Sequence, residues 1–223
     1  MLIKKIKRAI DNLNPRMVTN SQLIKSWKSI NDSGYHRYCT EDINVSEKYD
    51  ELFDFINNLR ILSDIQSVHE IGCGPGRNLI YFLEHDIKIS GNDLIASECF
   101  SYMDQKLKEK IHFSEMDTLV FLKKQQSKSV DLIVSSDHLM HLSRKIILRV
   151  YQEMASYAKK HIILREPIGG KIHMKGGSNN RFLWASDNFD KRFEGFVLQN
   201  TKRSKPSLQT GAMDYHLMHF ERE

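Results

Sequence analysis

Val68-His69-Glu70-Ile71-Gly72-Cys73-Gly74-Pro75-Gly76-Arg77-Asn78 is the stretch on which the fold turns. Val68–Ile71 reads as a short strand, and glycines at 72, 74 and 76 then let the backbone turn sharply and approach a ligand without a Cβ in the way. The apolar run from Leu79 to Leu83 predicts a helix. A strand, a glycine-rich turn and a helix place this segment at the carboxyl end of an α/β sheet, where such sheets bind ligands. Free N–H groups of the opening helix suit a carboxylate, and Glu70 suits the positive end of the same ligand, directly or through water. The dinucleotide fingerprint GxGxxG, counted from Gly72, needs its third glycine at 77, where Arg77 stands. The spacing is instead E-x-G-x-G-x-G, closing at Gly76.

The pattern downstream alternates. Strands are predicted at Ile87–Gly91, Ile111–Ser114, Val130–Ser135 and His161–Leu164, and helices over 97–108, near 118–125 and over Arg144–Lys159. Short apolar strands alternating with helices imply a parallel sheet covered on both faces. A loop over 169–180, a short helix near 186–193 and two strands, 196–202 and 212–220, add an antiparallel pair at the end. Upstream, residues 1–60 read as a helical extension or lid, and 61–223 as the ligand-binding domain.

The E-x-G-x-G-x-G block resembles the first motif of class I methyltransferases, which use S-adenosylmethionine (SAM). The resemblance runs over residues 65–167 and more loosely to the end. It implies an α/β, Rossmann-like fold: a mostly parallel seven-stranded sheet with an antiparallel C-terminal strand and helices on both faces. It also implies a cofactor site. Glu70, Gly72, Cys73, Gly74, Gly76 and Asn78 would surround the methionine end, and Asp93 with Leu94 the ribose. Met116 and Asp117 would hold the adenine, and Ser135 and Ser136 would lie beside the sulfur. A carboxylate accepts two hydroxyl bonds at once, which suits Asp93. Asp93 as a helix N-cap or turn residue and Asp117 as the cap of the next helix are the plain structural alternatives.

Methyl transfer needs the acceptor positioned and its proton removed. His141 resembles a histidine common at this point in ubiquinone- and menaquinone-pathway methyltransferases and their relatives. His138, Asp137 and Glu166 complete the catalytic candidates, with packed histidines and a capping aspartate as the alternatives. Some ubiquinone-type O-methyltransferases hold a metal here with two acids and a histidine. The counterparts are Asp137, Met140 and His141, and a thioether is a poor ligand for a hard cation, so no metal is expected. Ser-Ser-Asp-His is unlike the (D/N)PP(Y/F) signature of DNA-amine methyltransferases. Tyr35, Arg37, Tyr38, His173, Arg181 and Trp184 are candidates for the acceptor pocket.

Of the net charge of +5, four units lie in the first sixteen residues, where five bases face one acid. The rest is nearly neutral, which disfavours a nucleic-acid face. Residues 2–13 place Leu2, Ile3, Ile6, Ile10 and Leu13 at helical spacing with bases opposite. That reads as a helix packed on the domain, or as a weak contact with an anionic membrane surface. Cys39, Cys73 and Cys99 show no disulfide or zinc spacing, so a cytoplasmic protein is expected, with no leader and no membrane span. The expected activity is methylation of a small or carrier-linked metabolite, at a hydroxyl of a sugar, glycan precursor or other bacterial biosynthetic intermediate. The alternatives are a tRNA or protein methyltransferase and a non-catalytic SAM-binding regulatory subunit. Oligomeric state stays open.

Overall fold

The computed structural model describes residues 47–94, 103–142, 144–167, 192–204 and 215–223. Residues 2–13, Tyr35, Arg37, Tyr38, His173, Arg181 and Trp184 lie outside the described residues. Strands β1 (Ser67–Ile71), β2 (Lys88–Asp93), β3 (Ile111–Glu115), β4 (Val130–Ser136), β5 (Ala158–Pro167), β6 (Phe196–Ser204) and β7 (Tyr215–Arg222) form one sheet. Their order is β3-β2-β1-β4-β5-β7-β6. β1 to β5 pair in parallel, and β7 runs antiparallel between β5 and β6. The mostly parallel seven-stranded sheet with its reversed last strand is thus present.

Helices α1 (Glu47–Leu59), α2 (Gln105–Lys110), α3 (Thr118–Leu122) and α4 (Arg144–Tyr157) cover it. Side chains alternate across the central strands. Val68, Leu132, Val134 and Ile163 pack with Leu52, Phe55 and Ile56 of α1 and Leu107 of α2. Ile71, Ile133, Ile162 and Leu164 pack on the opposite face with Phe121 of α3 and Val150 and Met154 of α4. Each such burial contributes about 1.5–3 kcal/mol, so apolar residues explain the layers without further help. Among the described residues no helix is long and apolar enough to cross a membrane.

Three elements differ from expectation. Leu79–Glu84 is a 3-10 helix, closed by Leu79 N donating to Gly76 O at 2.9 Å, and no side chain caps it. The Asn78 side chain, at the cap position, is turned to Glu70 instead. Helix α4 stops at Tyr157 because β5 begins at Ala158, paired with Val130 across the sheet. The last strand, described over Tyr215–Arg222, ends two residues beyond the bound its apolar pattern suggested, and 212–214 lie outside the described residues.

Polar residues inside this core need separate reasons, since burying them unpaired costs free energy. Asp131, on β4, accepts from Gln66 N at 2.9 Å and Ser67 Oγ at 3.2 Å, latching β4 to the start of β1. His69 stacks on Phe121 with ring centroids 4.4 Å apart. Its Nε2 meets Asn92 Oδ1 at 3.0 Å and its Nδ1 meets Ser90 Oγ at 2.9 Å. Burial lowers the His69 pKa to about 4, so the ring is neutral.

Candidate active site

β1 lies between β2 and β4, so the chain switches direction across the sheet at its carboxyl end. Ligands bind at such a switch point. The turn after β1 is tied down there: Gly72 N and Cys73 N both donate to Asn92 O, at 2.9 and 3.1 Å. Gly74 N donates to Asp93 Oδ2 at 3.0 Å, so the carboxylate expected at the ribose also braces the loop. Gly72 sits at φ +70°, and a Cβ there would lie 2.1 Å from Cγ and Nδ1 of His138. Gly76, at φ +77°, answers to packing instead, since a Cβ would lie 2.5 Å from Leu107 Cδ2 on α2. Cys73 is buried, with its thiol raised well above its ordinary pKa by burial, and packs against Gly91 of β2.

Glu70 and Asn78 form the most unusual pair. Asn78 Nδ2 donates to Glu70 Oε1, while Glu70 Oε2 and Asn78 Oδ1 are buried without a partner among the described residues. Burial pushes the Glu70 carboxyl up to about 8, the Asn78 amide opposes this, and the Asp93 carboxylate adds to it. Two orphaned acceptors side by side fit a ligand ammonium, which would satisfy both and hold Glu70 as the anion. The end of β1 therefore fits the methionine end of SAM.

Beyond the end of β3, Asp117 caps α3: its Oδ1 accepts from Leu119 N at 3.0 Å and Val120 N at 3.2 Å. Met116 is half-buried against the α3–α4 core, and its carbonyl accepts from Asn92 Nδ2 at 3.1 Å. Leu94, just after β2, is half-buried. Ser135 and Ser136 end β4, Ser135 fully buried and Ser136 partly so.

The exit of β4 is held by β5. Glu166 Oε1 accepts from Ser135 Oγ at 3.1 Å, His138 N at 3.0 Å and Leu139 N at 2.9 Å, and Oε2 from Met140 N at 3.4 Å. It caps the 3-10 turn Leu139–His141 from a neighbouring strand, a role the sequence offered to Asp137. Burial raises its carboxyl to about 7, against the pull of those amides. Asp137 is left at φ +56°, uncommon for a residue with a side chain, and its Oδ2 accepts from Arg165 Nη1 at 2.7 Å. Arg165 also donates through Nε to Ser204 Oγ at 3.2 Å and lies over the Tyr215 ring. Asp137 Oδ1 is buried and unpartnered among the described residues. His141 is half-buried one turn on, and His138 Nε2 lies 2.8 Å from Thr118 Oγ1.

The structure thus gathers Glu70, Gly72, Gly74, Asn78, Asp93 and His138 around the β1 turn. It groups Ser135, Asp137 and Glu166 at the β4 exit. It adds Asn92, Thr118 and Arg165, which sequence reasoning missed. Arg165-Glu166 closing an apolar strand was the available signal for one of them. Among the described residues no group of three or more His, Cys, Asp or Glu could hold a metal.

A family model described as a methyltransferase domain matches residues 68–161. Residues 68–161 thus carry a methyltransferase domain. Solved structures share the fold over nearly the whole chain. Magnesium protoporphyrin IX methyltransferase from Synechocystis PCC 6803, with bound SAM, is 19% identical at TM-score 0.61, covering 96% of this chain and 97% of its own. The 1,6-didemethyltoxoflavin N1-methyltransferase of Burkholderia thailandensis, with its acceptor and S-adenosylhomocysteine (SAH), is 14% identical at TM-score 0.71, covering 92% and 91%. The [4+2]-cyclase SpnF, at 13% identity and TM-score 0.54, covers 70% of this chain and 75% of its own. No curated protein matches the sequence.

Proposed function

We propose that this methyltransferase moves the methyl group of SAM to a hydroxyl of a small or carrier-linked metabolite, such as a sugar, a glycan precursor or another bacterial biosynthetic intermediate. The observation that carries the donor half is the pair of orphaned acceptors, Glu70 Oε2 and Asn78 Oδ1, at the exit of β1. The acceptor half is supported by fold neighbours named for small-molecule substrates, a porphyrin and a toxoflavin precursor. When bound, SAM supplies an electrophilic methyl on a sulfonium. Asp137 Oδ1 takes the hydrogen bond of the acceptor hydroxyl, and the Arg165 pair keeps that carboxylate in place. With SAM bound, the acceptor oxygen would take the methyl with SAH as the leaving group, and the hydroxyl proton held by Asp137 Oδ1 would pass to that carboxylate and from there to His141. Glu166 positions the turn that presents these groups and does not itself touch the acceptor, because both its oxygens face backbone amides. Tyr35, Arg37, Tyr38, His173, Arg181 and Trp184 are the residues we propose for contact with the acceptor.

Transfer of label from methyl-labelled SAM into a fractionated cell extract tests the proposal. Label in small molecules or lipids supports it. Label confined to RNA or protein replaces the acceptor class, and SAM binding without label in any fraction favours a regulatory subunit. Asp93→Ala should weaken SAM binding by at least about 1.5 kcal/mol, since it strands both the ribose hydroxyls and Gly74 N. Unchanged affinity in calorimetry would remove Asp93 from the site. We further place the protein in the cytoplasm, touching an anionic membrane surface through residues 2–13. Deleting residues 1–13 should then leave SAM affinity intact and reduce sedimentation with anionic vesicles, and equal sedimentation would exclude the contact.

A further inference from the structure

Arg165, near the end of β5, is a buried guanidinium with a carboxylate on one side and a hydroxyl on the other. Its Nη1 donates to Asp137 Oδ2 at 2.7 Å, and its backbone carbonyl accepts from Asp137 N at 3.0 Å. Its Nε donates to Ser204 Oγ at 3.2 Å, and Ser204 Oγ donates in turn to Glu51 Oε2 at 2.7 Å. The Tyr215 ring lies over the guanidinium, its centroid 4.9 Å from Cζ, and the Tyr215 hydroxyl reaches Met140 Sδ in the turn after β4. Arg165 and Ser204 are buried, whereas Glu51 is half-buried on α1. One side chain thus joins α1, the β4 exit, β5 and β6.

The direction of each hydrogen bond follows from its atoms. A guanidinium only donates, and a serine hydroxyl has one hydrogen. With that hydrogen given to Glu51, the Ser204 lone pairs face Arg165 Nε, so Glu51 sets the polarity of the contact through Ser204. The guanidinium is a rigid plane, so a hold on Nε also sets where Nη1 points. Nη1 in turn places the Asp137 carboxylate, whose residue sits at φ +56° and whose Oδ1 has no partner among the described residues. Resting on the proposal that Asp137 Oδ1 meets the acceptor, we infer that Ser204 and Glu51 are positioning residues of the transfer reaction. They hold Arg165 so that Asp137 presents Oδ1, and neither touches the acceptor or SAM. The acceptor site is thereby completed by residues of α1 and β6 that stand 153 positions apart in sequence. A plain latch between those two elements would change stability alone.

Transfer from methyl-labelled SAM into the small-molecule and lipid fraction of a cell extract tests this, with SAM saturating and the fraction limiting. Ser204→Ala and Glu51→Ala should each lower the initial rate at least about fivefold, the order expected for one lost buried hydrogen bond. Their SAM dissociation constants in calorimetry should stay within about twofold of wild type, because the β1 turn is not part of this chain of contacts. Glu51→Gln keeps an acceptor oxygen for the Ser204 hydroxyl and should retain at least about half the wild-type rate. The double variant Ser204→Ala/Glu51→Ala should be no slower than Ser204→Ala, since both changes act through the same guanidinium. A wild-type rate in Ser204→Ala, losses that multiply in the double variant, or Glu51→Gln as slow as Glu51→Ala would each overturn the inference. So would a fall in SAM affinity as steep as the fall in rate, which leaves the donor reading standing. A second readout needs no acceptor: the NMR signal of the Arg165 Nε–H should exchange with solvent at least about tenfold more slowly in wild type and Glu51→Gln than in Glu51→Ala. Equal exchange in all three overturns the inference. If the wild type labels only RNA or protein, the proposed acceptor class falls, and the same comparison of variants on that fraction decides the positioning role. Wild-type protein that labels no fraction overturns both conclusions.

Discussion

SAM affinity should climb with pH up to about 8 and then level. The cause is Glu70, whose carboxyl burial raises to about 8 in the free protein. A carboxyl with a pKa raised above its unfolded value of about 4.3 stabilises the fold only while protonated, and that contribution fades as pH rises through the folded pKa. Below about 8 the free site holds a proton that a ligand ammonium must expel before it can sit on Oε2. One linked proton gives up to about tenfold per pH unit, hence up to about 100-fold between pH 6 and 8. Calorimetry in buffers of different ionisation enthalpy should detect release of up to about one proton at pH 6.5. In Glu70→Gln the affinity should be lower at pH 8 and nearly flat with pH. A wild-type curve as flat as the variant's would mean that the ammonium binds elsewhere.

Gly72→Ala is the second large effect. A left-handed backbone at φ +70° costs a residue with a Cβ about 1–2 kcal/mol, and overpacking adds about 1–3 kcal/mol. The atoms in the way are His138 Cγ and Nδ1, on a ring close to its own main chain, and that main chain is pinned by Glu166. Urea unfolding should therefore show a loss of roughly 3 kcal/mol. The double variant Gly72→Ala/His138→Ala should recover part of it, leaving the backbone share. If the loss is the same with and without the ring, the contact does not carry it.

What could be read in the chain beforehand was whatever is local along it. The E-x-G-x-G-x-G turn, the strand-ending Asp93 and the alternation of strands and helices depend on residues within a few positions of each other. The tighter winding of Leu79–Glu84 escaped because an apolar run of six residues reads the same for a 3-10 turn as for an α-helix. Asp137 looked like a cap because it precedes a short helical turn. The cap comes instead from Glu166, twenty-eight residues away from His138 in sequence and one strand away in space. Arg165 was missed for the same reason, since its partner Asp137 becomes a neighbour only once β4 and β5 pair. Asp117, the alternative of a plain cap having been visible in the sequence, caps α3 through one oxygen.

The latch between Asp131 and residues 66 and 67 has a consequence for how the chain is made. One edge of β1 pairs with β2, but the other waits for β4, some 65 residues later in synthesis. At roughly 5–20 residues per second a ribosome needs several seconds to supply them. During that interval an apolar strand edge stands open beside nascent chains that carry the same edge. Truncations ending just before Val130 should be the least soluble lengths, and solubility should return in truncations that include α4 and β5.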